Sequence, residues 1–464
     1  MKSINFDRMK ELKCLLVAAV LGLTACDNVL EVEPVSDILA ENFYSNAAGA
    51  EAALMNAYNF IQNPVAQNFI SVPLVVSDEA IMTRGGNFTR HHTFEPTSVQ
   101  GNVGDMWRET YFAIHACNDV LESVPTIDDP SLDADRVMGE AYFLRGMAFF
   151  YLTRYYGRIP LVTESSKSAN ADFNVGRSEV PQVYEQIIAD LLEAERLLPA
   201  PSQNRARASQ GAARAMLAKV YLYRNAPGDY ELALAETEEV MADPQYQLVA
   251  GENYGSLFEV GAQNTSETIF EISYRPNTSV EGHGLDDETV PYPNNNPRIV
   301  PTEKIIAAFN ENPQDLRIPA TLGEYDSIIY IRKYERNAPD EIARLPQANN
   351  VIIVRLADVI LMRAECLNEL GQTNEAIAFL NQIRTRAGLP PTTAVSQAEV
   401  RMAIANERFL ELAFEGHRWF DLVRTNRAVD VLAPRLSNPD RILWPVPGRD
   451  IDLNPNLLPQ NPSY

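Results

Sequence analysis

Cysteine is scarce in this chain, with four in 464 residues. Cys14 and Cys26 fall in the first thirty residues, so Cys117 and Cys366 alone are left for the fold. Each lies in an apolar-patterned helix, where a buried free thiol behaves as a small hydrophobe; a bridge between the two stays open at this level. Beyond Cys26 there is no Cys-x-x-Cys, His-Glu-x-x-His, Gly-x-Ser-x-Gly or Gly-rich phosphate loop, so none of these signatures of metal, nucleophile or nucleotide chemistry is available. Positive charge is also in deficit: 39 Lys and Arg stand against 62 Asp and Glu, a formal net charge of −23. That balance excludes nucleic acid, whose phosphates need a basic surface, and fits a solvated secreted or surface protein. Long apolar runs are missing too, since Cys14 to Leu23 is too short to span a bilayer.

That short run carries an address. Lys2, Arg8, Lys10 and Lys13 precede it, and Leu23-Thr24-Ala25-Cys26 closes it in the pattern of a bacterial lipobox. Residues 1–25 are therefore expected to be a lipoprotein signal peptide, with Cys26 lipidated as the mature N-terminus. Acyl chains would tether the protein to a membrane without spanning it. Cleavage removes four basic and two acidic residues, which moves the formal charge from −23 to −25.

What is present along the rest is helical periodicity, in a chain too long for one ordinary core. Ala53, Leu54, Ala57, Tyr58 and Ile61 recur at helical spacing within 42–62, and Met106, Trp107, Tyr111, Ile114, Cys117, Val120 and Leu121 do so within 104–124. From Asp133 to Tyr156, the residues Tyr142, Gly146 and Phe149 fall where a tetratricopeptide repeat places an aromatic, a small contact residue and a second aromatic. Glu179 to Leu198 supplies a partner helix, and Ser209 to Met241 a further pair. The stretch from Val351 reads as a pair broken at Gly371-Gln-Thr-Asn374, with small Ala364 and Ala376 allowing close approach. Between these lie irregular stretches. Ser77 to Gly101 has no sustained period and reads as a long exposed loop. Residues 249–350 are rich in Pro, Asn and Gly, with strand-like alternation at Glu267 to Tyr274 and Ser327 to Tyr334. The expected fold class is mostly α: about four tetratricopeptide-like helix pairs with a loop-rich inserted subdomain containing short strands. The expected divisions are 26–248 for the N-terminal repeat region, 249–350 for the insertion, and 351–464 for the last pair and a wrapping tail.

At this point the residues carry a family. The lipobox at Cys26 followed by LEVEP, the stretch EAYFLRGMAFFYLTRYYGRIPLV, the pair RLADVILMRAECLNELGQTNEAIAFLNQIRTRAGLP, the run ERFLELAFEGHRWFDLVR, and WPVP with NPNLLPQNPSY together resemble the SusD/RagB family over nearly the whole mature chain. Ser463 stands where that family more often has Gly. The resemblance implies an outer-membrane lipoprotein facing outward, four helix pairs as scaffold, and a ligand site on inserted loops. It also implies a partner, a SusC-like TonB-dependent transporter that receives captured oligosaccharide; RagB-like members handle peptides instead.

The remaining chemistry is weighed against that reading. Glu407, Glu411 and Glu415 at four-residue spacing, with His417 beside them, could be taken for a metal or acid/base cluster. Ion pairs three apart (Arg408 with Glu411, Glu415 with Arg418, Arg418 with Asp421, Asp421 with Arg424) account for them better, along one helix flank. The adjacent His91 and His92 would diverge in an extended loop, so neither a metal nor a cofactor is expected. All three tryptophans lie in framework stretches. A sugar site needs flat aromatic faces and polar groups for hydroxyls, so Tyr, Phe and His on the irregular stretches are its candidates. These are Phe88, His91, His92 and Phe94 on the first stretch, and Tyr274, His283, Asp286, Tyr292, Asn294 and Asn295 on the second. The expected function is non-enzymatic glycan binding for uptake, with peptide binding as the near alternative, and a surface glycoside hydrolase or a helical-repeat scaffold behind it.

Overall fold

The computed structural model describes residues 45–464 apart from 87, 167, 169–171, 173, 201, 203, 275–283, 292–295 and 336–348, and apart from the side chains of 63–67. Cys26 and the expected signal peptide lie outside the described residues.

Eight helices form the body: α1 (Ala47–Pro64), α2 (Gly101–Ser123), α3 (Ala134–Tyr156), α4 (Val180–Leu197), α5 (Gln210–Arg224), α6 (Asp229–Ala242), α7 (Leu356–Glu369) and α8 (Thr373–Arg386). Each packs on the next, and α6 meets α7 directly although more than a hundred residues intervene in sequence. Four stacked pairs result, the repeat architecture that the periodicity predicts. Their ends follow from local chemistry. Asp133 caps α3 by accepting from Arg136 N, Glu179 and Gln182 form a capping box on α4, and Gly157 at φ 70° stops α3.

Gly146 does what its repeat position calls for. A Cβ there would sit 3.1 Å from Leu191 Cγ and 3.3 Å from the Ile187 carbonyl oxygen, so its absence sets how closely α3 approaches α4. Gly146→Leu is therefore expected to cost about 1–3 kcal/mol by overpacking. Urea unfolding midpoints would measure it, and an unchanged midpoint would show that the pair has room to spread.

The insertion folds through long-range strand pairing. Strand β2 (Thr268–Ile272) runs antiparallel to β6 (Val351–Arg355), β4 (Leu322–Tyr325) forms a hairpin with β5 (Ile328–Ile331), and β1 (Ala80–Met82) pairs with β3 (Ile299–Pro301). Two expected strands appear as β2 and β5. Val351–Arg355, read as the opening of the last helix pair, is instead a wholly buried strand. A short continuous apolar run has no period to separate strand from helix, and its four β-branched residues settle the matter in favour of the sheet.

Cys117 on α2 and Cys366 on α7 are both buried and free, and burial pushes the Cys117 thiol up to about 12. The tail lies along the body: Trp444 N donates to Tyr155 O, and Asn461 Nδ2 donates to the Tyr156 and Trp444 carbonyls. Ser463 there adopts φ 69°, the conformation that a glycine takes without strain.

The run ERFLELAFEGHRWFDLVR corrects an expectation. Of the four pairs expected three residues apart, only Asp421 with Arg424 forms, at 2.9 Å. The helix carrying the first half, α9 (Gln397–Glu411), ends before the second half begins in α10 (Arg418–Arg424). Between them Phe414 and Gly416 take φ of 65° and 80°, and a Cβ on Gly416 would lie 2.7 Å from Phe69 O. That turn separates Glu415 from Arg418, whereas Arg408 and Glu411 share α9 and Arg418 and Asp421 share α10; there, buried partners on other elements take the charges. Glu411 pairs with Arg317, Arg355 and Arg386, Glu415 with Lys333 and Arg355, and Arg418 with Asp78. His417, buried beside Lys219, is held neutral with its pKa pushed down to about 3.

Candidate functional site

The first irregular stretch is not the open loop expected. A short helix, Thr89–His92, docks it on the body. His91 is 1% exposed and lies against Trp444 with ring centroids 4.4 Å apart; burial drives its pKa down to about 4. Phe88 is buried, and Phe94 packs against Trp419 at 5.6 Å. Arg435 Nη1 donates to His92 Nδ1 at 2.6 Å. On the second stretch, Tyr274 is buried and its hydroxyl donates to Gln62 O at 2.8 Å, while Asp286 is buried in the helix Leu285–Thr289. Phe88, His91, Phe94 and Tyr274 are therefore packing residues in this structure, a correction to the expectation that they present open faces. Lack of period made the first stretch look exposed, yet its aromatic rings are what the tail and α10 cover. His283, Tyr292, Asn294 and Asn295 lie outside the described residues.

A cleft of about 440 Å³ opens beside α1, at the end of β2 where the chain leads into the second stretch. Its volume falls within the roughly 300–1,000 Å³ common for small-molecule sites. A second cleft between α7, α9 and α10 holds only about 100 Å³ and is edged by the Arg401–Glu369 and Arg424–Glu365 ion pairs.

Helical spacing explains why α1 can line a cleft and pack a core at once. Met55, Tyr58, Asn59 and Gln62 share one face, while Ala50, Ala53, Leu54, Ala57 and Ile61 turn inward and are buried. Gln62 Nε2 donates to Ser273 O at 2.7 Å, which ties the end of α1 to the end of β2. The α4–α5 connection adds Asn204, Ala206 and Arg207, and Gln263, Ile272 and Ser273 complete the wall.

Most of the charge and hydroxyl chemistry in this wall is already spent. Arg207 bonds both oxygens of Glu140 (2.5 and 2.9 Å) and Glu51 Oε1 (2.6 Å). Tyr58 donates to Glu140 Oε2 at 2.6 Å and accepts from Ala208 N, and burial beside that carboxylate raises the phenol pKa well above its ordinary value. Asn204 Oδ1 accepts from Ala206 N. The amides of Asn59 and Gln263 are exposed and make no side-chain hydrogen bond among the described residues. None of the described residues that line the cleft is a carboxylate. No cluster among the described residues could hold a metal ion. The arrangement can offer paired donors and acceptors to a neutral polar ligand. Nothing in the sequence brought these residues together: they are polar, lie on four separate segments, and repeat at no spacing.

The chain matches two family models, one described as the SusD family over residues 309–436 and one described as "starch-binding associating with outer membrane" over residues 29–222. It is similar to SusD-like protein P2 of Formosa agariphila, 28% identical with 98% of this chain and all of the relative covered. SusD-like protein P38 of the same organism is 29% identical, with 97% and 98% covered. Among solved structures, a laminarin-binding SusD-like protein superposes with a TM-score of 0.79 at 27% identity, covering 91% of this chain and 100% of that one. A SusD homologue from Bacteroides thetaiotaomicron has the same fold, with a TM-score of 0.79 at 21% identity over 92% and 99%.

Proposed function

Because the chain belongs to the SusD-like family, we propose that it binds oligosaccharide or polysaccharide at the cell surface and delivers it to a SusC-like TonB-dependent transporter in the outer membrane. In this reading Cys26 carries the lipid anchor, the protein faces outward, and it works without catalysis. The observation that carries the proposal is the carboxamide-lined cleft of about 440 Å³, a volume common for small-molecule sites, whose described lining residues include none of the paired carboxylates that glycoside hydrolysis uses. The outer-membrane, starch-binding description of the matched family and the likeness to a laminarin-binding protein support the same reading. The cleft supplies polar groups, and His283, Tyr292, Asn294 and Asn295 stay as candidates to complete it, since Ser273 on its wall leads into their stretch.

Calorimetric titration of the mature protein against a panel of polysaccharides and peptides tests this. Saturable binding to at least one glycan, with no reducing ends accumulating, is the expected result. Binding to peptides alone, or steady release of reducing ends, would overturn it.

A further inference from the structure

We infer that the cleft beside α1 selects neutral glycans and turns away uronate, sulfate and charged peptide ends. The inference rests on the carbohydrate-binding reading and names the class of sugar.

The first ground is the state of the one charged side chain among the described residues that line the cleft. Arg207 is the residue that could greet an anion, but its three nitrogens already hold Glu140 and Glu51. Glu140 is 1% exposed and shares its carboxylate with Arg136 at 2.7 Å and with the Tyr58 hydroxyl. Turning Arg207 toward a ligand would strip a buried carboxylate of its bidentate partner, so the cation is committed to the fold.

The second ground is the chemistry left over. Asn59 and Gln263 each offer two N–H donors and a carbonyl acceptor, the complement of hydroxyls that donate and accept by turns. A carboxylate or sulfate only accepts, and it would meet amide oxygens as readily as amide N–H groups, with no uncommitted cation among the described lining residues to offset its desolvation. A peptide's termini face the same lack of countercharge.

The third ground is the field of the whole chain. A formal charge of −23 repels polyanions before contact, and among the described residues that line the cleft Arg207 alone is basic.

Glycan binding by the mature full-length chain would be measured with neutral gluco-, manno- and galacto-hexasaccharides, an oligogalacturonate of matched length, a sulfated galactan fragment and a tetrapeptide. The expected result is binding of a neutral hexasaccharide at least ten-fold tighter than any charged probe. Affinity should change less than two-fold between 50 and 500 mM NaCl, because no countercharge is screened. The double variant Asn59→Ala/Gln263→Ala should weaken that binding at least five-fold while leaving the melting temperature unchanged, since both side chains are exposed. Preference for the uronate or sulfated probe would overturn the inference and leave glycan binding standing. So would affinity that falls steeply with salt, or full affinity in the double variant. If no carbohydrate binds, the carbohydrate reading and the inference fall together.

Discussion

Arg355→Leu is expected to cost about 3–5 kcal/mol of folding stability, because it removes one partner from a buried ionic group and leaves the others uncompensated. Arg355 is 1% exposed and uses all three nitrogens: Nε to Glu415 Oε2 (2.9 Å), Nη1 to Glu267 Oε1 (2.7 Å) and Glu411 Oε1 (2.5 Å), and Nη2 to Glu411 O (2.6 Å) and Glu415 Oε1 (2.8 Å). Those three glutamates also meet Arg317, Arg386 and Lys333, and Arg317 in turn holds Asp315 and Glu407, the latter shared with Arg384, so five cations face five carboxylates and loss of one guanidinium tips the group toward negative charge. The guanidinium field holds the Glu415 carboxyl down to about 2 and Glu411 well below the carboxylate range, and both would drift upward in the variant. The group joins the residue before β2, β6, α8, α9 and the turn after α9, which are points where the insertion meets the helix stack. Urea unfolding should show the midpoint falling sharply, and a loss of under about 1 kcal/mol would mean that water reaches the group and screens it. Changing Glu411 to Leu in the same chain should recover part of the loss, because one fewer buried anion then lacks a partner.

How legible this was in the chain can be read from the same residues. Helix pairs were open to inspection because burial repeats every three to four residues in Leu356, Val359, Ile360, Ala364 and Leu367, and all five are buried as that stripe requires. Gly146 was legible for a related reason, as a small residue between two aromatics at repeat spacing. Glu415 and Arg418 misled because their spacing is helical while the backbone between them is not, and Glu411 misled because buried cations on other elements claim it over Arg408 on its own helix. Phe414 at φ 65° gives no warning in sequence, since nothing local tells of a non-glycine residue held in the left-handed region. Three-residue strands such as Ala80–Met82 and Ile299–Pro301 are too short for any alternation to register, and only their pairing across more than two hundred residues makes them strands. The cleft was the least legible feature. Asn59, Asn204 and Gln263 look like ordinary surface polar residues, and their convergence is a product of the fold alone.

Glu79→Gln is expected to stabilise the protein above neutral pH and to lose that advantage in acid. Glu79 is buried, and its neighbour Asp78 already carries a charge fixed by Arg418 at 2.8 and 2.9 Å and by Lys304 at 2.6 Å. Burial, with repulsion from Asp78 added, raises the Glu79 pKa from 4.5 to about 8, so the side chain is a neutral acid at pH 7. A group whose folded pKa lies above its unfolded value gives stability that is full below the unfolded value and is lost as pH rises through the folded one. Wild type should therefore lose roughly 1.4 kcal/mol per pH unit from this residue between about 4.5 and 8. Glutamine does not titrate, and its carbonyl can still accept from Phe414 N, as Glu79 Oε1 does at 3.2 Å. The stability difference between variant and wild type should grow with pH across that window and level off above pH 8, read as urea midpoints at half-unit steps. A difference that stays flat from pH 5 to pH 9 would show that Glu79 is ionised in the folded protein and that a partner or water meets its charge.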